Sequence, residues 1–269
     1  MAEERYAFGK NWSDYVSKHF SDERVDISRK HLLDFLGLDT LAGKTFLDIG
    51  CGSGLHSLAA WRAGAARVVS FDYDADSVAT TRRLREHAGA PANWEVSQGS
   101  VLDDALMASL PQCDIVYSWG VLHHTGDQWK AIRNAAGRVA PGGLFYIALY
   151  TSDAFVDPPP EFWLDIKKRY IRGGWLEQRK LEAWYILRFQ IGYNPLDALK
   201  LVRNIVKYRD SRGMAFYNDV KDWLGGWPME FSSIADVKRF CGEELGLTLR
   251  RIKDGEANTE YLFARPAAS

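Results

Sequence analysis

The stretch Phe46-Leu47-Asp48-Ile49-Gly50-Cys51-Gly52-Ser53-Gly54 sets a carboxylate two residues ahead of three glycines. Glycines at such a turn let the backbone come close to a ligand. A dinucleotide-binding turn would read GxGxxG and hold a pyrophosphate at a helix N-terminus. Here the spacing is GxGxG, and a carboxylate beside it suits a cationic ligand better than a diphosphate. A second acid, Asp72, follows the apolar run Val68-Val69-Ser70-Phe71. A carboxylate there can accept both hydrogen bonds of a ribose diol, or else cap the next helix. A third feature is the pair His123-His124, whose imidazoles titrate near neutral pH and are candidates for acid–base work. The alternative is a pair of rings satisfied by backbone hydrogen bonds in a tight loop.

These residues need a scaffold, and the pattern from Lys44 to Tyr150 supplies one by alternating short apolar runs with helical stretches. Strands are predicted at 45–49, 67–71, 94–97, 114–119 and 144–150, with helices near 55–63, 75–87, 101–110 and 128–139. Pro141-Gly142-Gly143 is expected to turn the last helix into strand five. A helix over 28–36 precedes the sheet. Beyond strand five, residues 161–212 read as helical and carry 12 Lys and Arg against 6 Asp and Glu, a basic insertion of net +6. Residues 212–230 mix aromatics, charges and turn formers irregularly and read as a structured loop. A helix over 234–245 and strands at 247–253 and 259–265 complete the pattern. The fold class is therefore α/β, a Rossmann-like doubly wound, mostly parallel seven-stranded sheet with a helical insertion after strand five. The expected division is an arm and helix over 1–43 that cap the site, and a core over 44–150. A lid over 151–232 and a closing unit over 233–269 complete it.

In motif order from about Gly43 to Tyr150 the chain resembles the class I S-adenosylmethionine-dependent methyltransferases. The resemblance implies S-adenosyl-L-methionine as cofactor. Asp48, Gly50 and Gly52 would then line its amino acid end, and Asp72 would hold the ribose hydroxyls. Tyr73 would lie beside the adenine, whose edge would meet the segment Gln98-Gly99-Ser100-Val101-Leu102-Asp103 at Ser100 and Val101. Trp119, at the end of strand four, would border the methionine part. It also places the loop holding His123 and His124 beside the methyl position, making them the candidate catalytic residues. Cys51 reads as a small buried filler and Asp74 as a helix cap.

Methyl transfer from a sulfonium is an in-line displacement, so the protein chiefly aligns the acceptor and, where needed, removes its proton. In this fold the segment after strand five covers the acceptor, which makes Tyr150, Tyr217, Trp223 and Trp227 candidate lining residues. Rings beside Gly and Pro also serve to clamp a loop. Arg212 or another basic residue of the insertion is a candidate partner for an acceptor carboxylate.

Composition narrows the classes further. The 269 residues carry formal charge -1, so no global field would hold the chain on nucleic acid or an anionic membrane. Cys51, Cys113 and Cys241 are scattered, which argues against a disulfide framework, and no His/Cys spacing calls for a metal. No apolar run approaches the roughly 20 residues of a spanning helix. The expectation is a cytoplasmic enzyme that methylates a hydroxyl or carboxylate oxygen of a small-molecule acceptor. It needs no nucleic-acid partner, and a homo-oligomer is possible. The alternatives are a nitrogen or carbon of a small molecule, or a macromolecule such as RNA. Ten tryptophans, many outside the strand segments, call for a pocket, a lid or an interface.

Overall fold

A computed structural model describes residues 21–191, 216–255 and 257–267. The strands are β1 (Thr45–Ile49), β2 (Arg67–Asp72), β3 (Trp94–Gln98), β4 (Cys113–Trp119), β5 (Val139–Tyr150), β6 (Thr248–Asp254) and β7 (Asn258–Ala264). The helices are α1 (Asp22–Leu36), α2 (Leu55–Arg62), α3 (Ala75–His87), α4 (Asp104–Ser109), α5 (Gln128–Ala136), α6 (Pro160–Arg172), α7 (Trp175–Tyr185), α8 (Phe216–Gly225) and α9 (Ile234–Arg239).

The strands form one sheet in the order β3-β2-β1-β4-β5-β7-β6. β1 to β5 run parallel, and β7 enters antiparallel between β5 and β6. The inner strands are near-continuous apolar runs because helices cover both faces. Alternation along β1 shows the division: Leu47 and Ile49 face a core layer with Ile132 of α5 and Val237 of α9, whereas Phe46 faces the opposite layer with Leu33 of α1 and Leu58 of α2. The order reverses between β1 and β4, and a crevice opens at such a switch point, outside the carboxyl ends of the strands.

All seven predicted strands form, with three local departures. First, the helix expected from residue 101 starts at Asp104, because the Asp103 carboxylate accepts the N–H groups of Ala105 and Leu106 as a cap. Second, Pro141-Gly142-Gly143 lies inside β5 rather than before it. The pairing with β4 jumps from Cys113↔Val139 to Ile115↔Leu144, and Gly142 takes φ 76° within that irregularity. Third, residues 216–225 of the expected loop form α8. Val220 and Leu224, four apart, are 2% and 0% exposed and pack with Tyr170 of α6 and Leu181 of α7. The interleaved charges hide that stripe in the sequence.

The described part of the basic insertion begins as two helices broken at Gly173-Gly174. Their junction is polar: the buried Glu182 carboxylate accepts from the hydroxyl of Tyr170 at 2.6 Å, from Arg179 at 2.7 Å, and from the hydroxyl of Tyr217 on α8. Among the described residues, no helix is long and apolar enough to cross a membrane.

Candidate active site

The glycine turn hangs from the end of β2, where the Phe71 carbonyl accepts the N–H groups of Gly50 and Cys51 at 2.9 and 3.1 Å. Gly50 has φ 76°, and a Cβ there would fall 2.4 Å from Cγ1 of Val121. Only glycine meets both demands. The loop after β4 thus packs directly on the glycine turn, and Ser118 reinforces the contact by donating its hydroxyl to the Ile49 carbonyl at 2.9 Å.

Two acids lie under this turn. Asp72 accepts the Gly52 N–H on one carboxylate oxygen and the Asp74 N–H on the other, each at 2.9 Å. Burial nevertheless pushes its pKa up to about 6. Asp48 is 2% exposed and takes a 2.5 Å hydrogen bond from the Ser57 hydroxyl. Its pKa is pushed up to about 7, chiefly by burial; the Ser57 bond opposes this and the charge of Asp72 adds to it. The Ser57 and Ser70 hydroxyls are 2.8 Å apart, and the Trp94 indole N–H donates to Ser70 at 2.9 Å. This buried chain fixes the direction of the Asp48 carboxylate. Among the described residues no basic side chain pairs with either buried acid, and a sulfonium or ammonium group is a cation that would match them.

Around the rim, the Tyr73 ring is 59% and the Trp119 ring 41% exposed, at the ends of β2 and β4. Exposed aromatic rings at a sheet's carboxyl edge are of the kind that can stack on a ligand. Ser100 accepts the Leu102 N–H at 3.1 Å. The Val101 side chain is 5% exposed and belongs to the core, so its part toward a ligand is confined to the backbone. Cys51 is buried beside Thr81, and burial followed by the charges of Asp48 and Asp72 pushes its thiol well up, which removes it as a nucleophile.

Across Val121 stands the aromatic half of the site. The chain returns from the insertion through Trp227–Phe231 and is latched to the loop after β4. The His123 carbonyl accepts the Glu230 N–H at 2.8 Å, and the Glu230 carboxylate accepts the Gln128 N–H at 2.8 Å. The latch also distinguishes the two histidines. His124 Nδ1 lies 2.7 Å from the Pro228 carbonyl, so it carries the proton and the lone pair is on Nε2. His123 is the reverse, since its Nδ1 receives the Tyr150 N–H at 3.4 Å and the proton falls on Nε2. Burial lowers the pKa of both, that of His124 to about 3, so both are neutral at physiological pH.

His123, His124, Tyr150 and Trp223 are brought together: ring centroids lie 4.5 Å apart for His123 and Tyr150, and 5.6 Å for Tyr150 and Trp223. Phe155 stacks on Trp223 at 5.5 Å. Trp227 sits at the edge of this group, under the ammonium of Lys168 at 5.2 Å. Tyr217 is turned away to Glu182 and Arg179, a placement that ties the insertion helices together rather than lining the cluster. Arg212 lies outside the described residues. Phe155 and Lys167, which sequence reasoning passed over, belong to the cluster. Lys167 follows Trp163 by four residues and precedes Tyr170 by three, so its signal is a lysine on the apolar stripe of a helix. Among the described residues, no three His, Cys, Asp or Glu side chains gather as a metal site.

A sheet reversing at β1 and β4, with a GxGxG turn between two strand-end acids, defines a class I S-adenosylmethionine-dependent methyltransferase. The chain belongs to the methyltransferase-domain family, whose sequence pattern matches residues 19–203. It is 34% identical over 120 residues to the ubiquinone biosynthesis O-methyltransferase of Methylobacterium sp. (strain 4-46), a match covering 45% of this chain and 46% of that one. It is 35% identical over 106 residues to the tRNA U34 carboxymethyltransferase of Methylococcus capsulatus, covering 38% and 31% of the two chains. The chain spans about half the length of the ubiquinone-pathway relatives it matches, 46% to 58%. Its fold is similar to that of magnesium protoporphyrin IX methyltransferase from Synechocystis PCC 6803 with bound S-adenosylhomocysteine. The TM-score is 0.53 at 12% identity, covering 95% of this chain and 93% of that one. An O-methyltransferase family protein from Burkholderia thailandensis is similar at TM-score 0.57 and 15% identity, covering 92% and 59%. The matched domain is thus that of the S-adenosylmethionine-dependent methyltransferases.

Proposed function

We propose that the protein methylates an oxygen of a small-molecule acceptor held over the carboxyl ends of β4 and β5. The observation that carries this is the ring cluster of His123, His124, Tyr150 and Trp223, set against the glycine turn through Val121. It is apolar enough for a flat organic acceptor and brings an imidazole lone pair to it. The ubiquinone-pathway O-methyltransferases among the relatives support the same acceptor atom.

In this reading the fit of the cofactor follows from the residues around the turn. Gly50 and Gly52 leave room for its amino acid end, above the Asp48 carboxylate. Asp72 keeps acceptor capacity for a ribose hydroxyl, since a carboxylate offers about four lone-pair sites and the backbone N–H groups of Gly52, Asp74 and Tyr73 are the ones that act on it. Tyr73 and Ser100 flank the adenine, the Val101 backbone meets its edge, and Trp119 covers the methionine end. When bound, S-adenosylmethionine supplies a methyl group activated by a sulfonium. The protein's own work is to align the acceptor and, for a neutral hydroxyl, to hold its proton at His124 Nε2. His123 carries its proton toward the cluster and acts there as a donor. In this reading the described residues of 151–232 contribute the acceptor lid; residues 1–20 of the expected capping arm and 192–215 of the expected lid lie outside the described residues.

The test is to incubate the protein with S-adenosylmethionine and separate panels of phenols, carboxylic acids, amines and transfer RNA, measuring S-adenosylhomocysteine. Turnover with phenols or carboxylic acids is expected. Turnover confined to amines or RNA would replace this reading with the nitrogen or macromolecular one.

A further inference from the structure

The insertion sends one cation into the ring cluster. Lys167 of α6 is 1% exposed, although lysine stems normally carry the ammonium out to water. Its ammonium lies 4.2 Å over the Trp223 ring and donates to the Trp223 carbonyl. Among the described residues that carbonyl is its one hydrogen-bond acceptor, and the Asp222 carboxylate acts on it only through space. Two of its three N–H groups remain, and a buried ammonium so lightly paired is costly.

Its surroundings share the deficit. His123 Nε2, Trp163 Nε1 and Trp223 Nε1 are all buried without a hydrogen-bond partner among the described residues. The side chains of His123 and Trp163 are 0% and 4% exposed. Each of the three atoms is a donor: the indole nitrogens always, and His123 Nε2 because its Nδ1 already receives the Tyr150 N–H. The rings are contiguous, with Trp163 and Trp223 centroids 5.1 Å apart and Trp223 joined to His123 through Tyr150. Unsatisfied donors on rings of one contiguous cluster, with an ammonium over one of those rings and its charge felt at His123, are complementary to an oxygen that only accepts.

We propose that Lys167 and His123 seat an anionic oxygen of the methyl acceptor, so that the enzyme takes aromatic carboxylates or phenolates in preference to their neutral analogues. This deepens the oxygen-methyltransferase reading and rests on it. Trp163 and Trp223 supply the flat walls and further N–H groups. A purely structural Lys167, one that only caps the end of α8, would not discriminate ligands by charge. Burial lowers its pKa to about 7, with Asp222 opposing, so an arriving anion would also draw a proton onto it.

The test uses the full chain loaded with S-adenosylhomocysteine and titrated calorimetrically with benzoate and with its neutral analogue benzamide. At pH 6 benzoate should bind at least about tenfold tighter. Lys167→Met should cut that preference below about threefold while leaving S-adenosylhomocysteine affinity unchanged, and Lys167→Arg should restore part of it. Should Lys167→Met fail to fold, the pH dependence of the wild type decides. The groups facing Lys167 are His123 and His124 from the loop after β4, Tyr150 from β5 and Asp222 from α8; both histidines are held neutral by burial, which leaves the lysine to titrate between pH 6 and 8. The benzoate preference should therefore fall about tenfold across that interval. A preference that survives in folded Lys167→Met, that is flat with pH, or that is missing from the wild type would overturn the proposal. Turnover of amines alone, with the Lys167-dependent preference intact, would instead sink the oxygen-acceptor reading and leave the anion seat standing.

Discussion

The Gly52 N–H points at the carboxylate of Asp72, 2.9 Å from Oδ2, so the glycine turn after β1 and the acid ending β2 are fixed to each other before any ligand arrives. Asp72 therefore shapes the turn, and in the proposed reading it also receives a ribose. Asp72→Asn removes the charge and keeps one accepting oxygen, so one of the two backbone N–H groups of Gly52 and Asp74 loses its partner, whereas Asp72→Ala strands both. Each lost charge-assisted hydrogen bond costs about 1.5–3 kcal/mol. The S-adenosylmethionine dissociation constant should rise by at least about tenfold in Asp72→Asn and further in Asp72→Ala. Unchanged affinity in both, by calorimetry, would show that the ribose lies elsewhere.

Asp48 and Asp72, with pKa values raised to about 7 and about 6 by burial, make cofactor binding depend on pH. A cationic ligand favours the ionised acids, so binding releases protons and tightens as pH rises from 5 to 8, by up to about tenfold per unit for each proton released. S-adenosylhomocysteine, lacking the sulfonium charge, should show a shallower slope. The stability of the free protein runs the other way. A carboxyl pKa raised on folding above 3.8 favours the fold most at low pH, and these two contributions are lost as pH passes through about 6 and 7. Parallel slopes for the two ligands would count against the acids as the counter-charge.

Gly50 and Val121 are predicted to be coupled energetically. Gly50→Ala combines a left-handed backbone, about 1–2 kcal/mol, with a methyl driven into the Val121 side chain, about 1–3 kcal/mol. Val121→Ala in the same chain should relieve the second cost and leave the first. A double-mutant cycle by urea denaturation reads the difference, and strict additivity would mean that the contact carries no strain.

The outer layer offers a test of stability alone. Glu260 receives the Tyr146 hydroxyl and lies 3.7 Å from His31 and 3.6 Å from Lys253. Burial pushes its carboxyl up, but the hydrogen bonds of His31 and Tyr146 and the nearby positive charges outweigh it, leaving the pKa at about 2. That contribution is whole above pH 4.5 and is lost as pH falls toward 2. Glu260→Gln should cost about 1–3 kcal/mol at neutral pH and flatten the acid side of the stability curve. An unaltered acid limb would remove Glu260 as its source.

For the two histidines the expected outcomes differ. His124→Ala should lower turnover of neutral hydroxyl acceptors by about 10² to 10⁴ with cofactor affinity kept, because its lone pair is on Nε2. An acceptor ionised in solution should lose far less. His123→Ala should instead weaken acceptor binding and also lower stability, since it opens a cavity under Tyr150. If His124→Ala turns over every acceptor at the wild-type rate across pH 6 to 9, alignment alone explains the chemistry.

The sheet and the glycine turn with its two acids were legible because their signals are local: apolar runs at strand length, glycines at a turn, acids at strand ends. The packing around His123 and His124 was not. His123 and His124 were recognisable as a pair, but their division into donor and acceptor depends on Pro228 and on the Tyr150 backbone, remote in sequence. Trp223 and Tyr217 read alike in the sequence, yet on α8 their spacing of six positions turns Tyr217 toward Glu182. In the sequence Lys167 is one basic charge among twelve, since nothing in its neighbours announces that Trp223 of α8 meets its ammonium. Helix faces are visible in sequence, but which partner each face meets is decided by tertiary packing.

Val121 touches Gly50 on one side and stands three residues ahead of His124 on the other. A ligand that displaces the glycine turn must carry the acceptor loop with it, and through the Pro228 and Glu230 hydrogen bonds the returning segment as well. If the two sites lie on either side of Val121 as proposed, a change in affinity that one ligand causes in the other is matched by an equal change in the reverse direction. That reciprocity constrains only the affinities; the order in which the two arrive is set by their rate constants together with their concentrations.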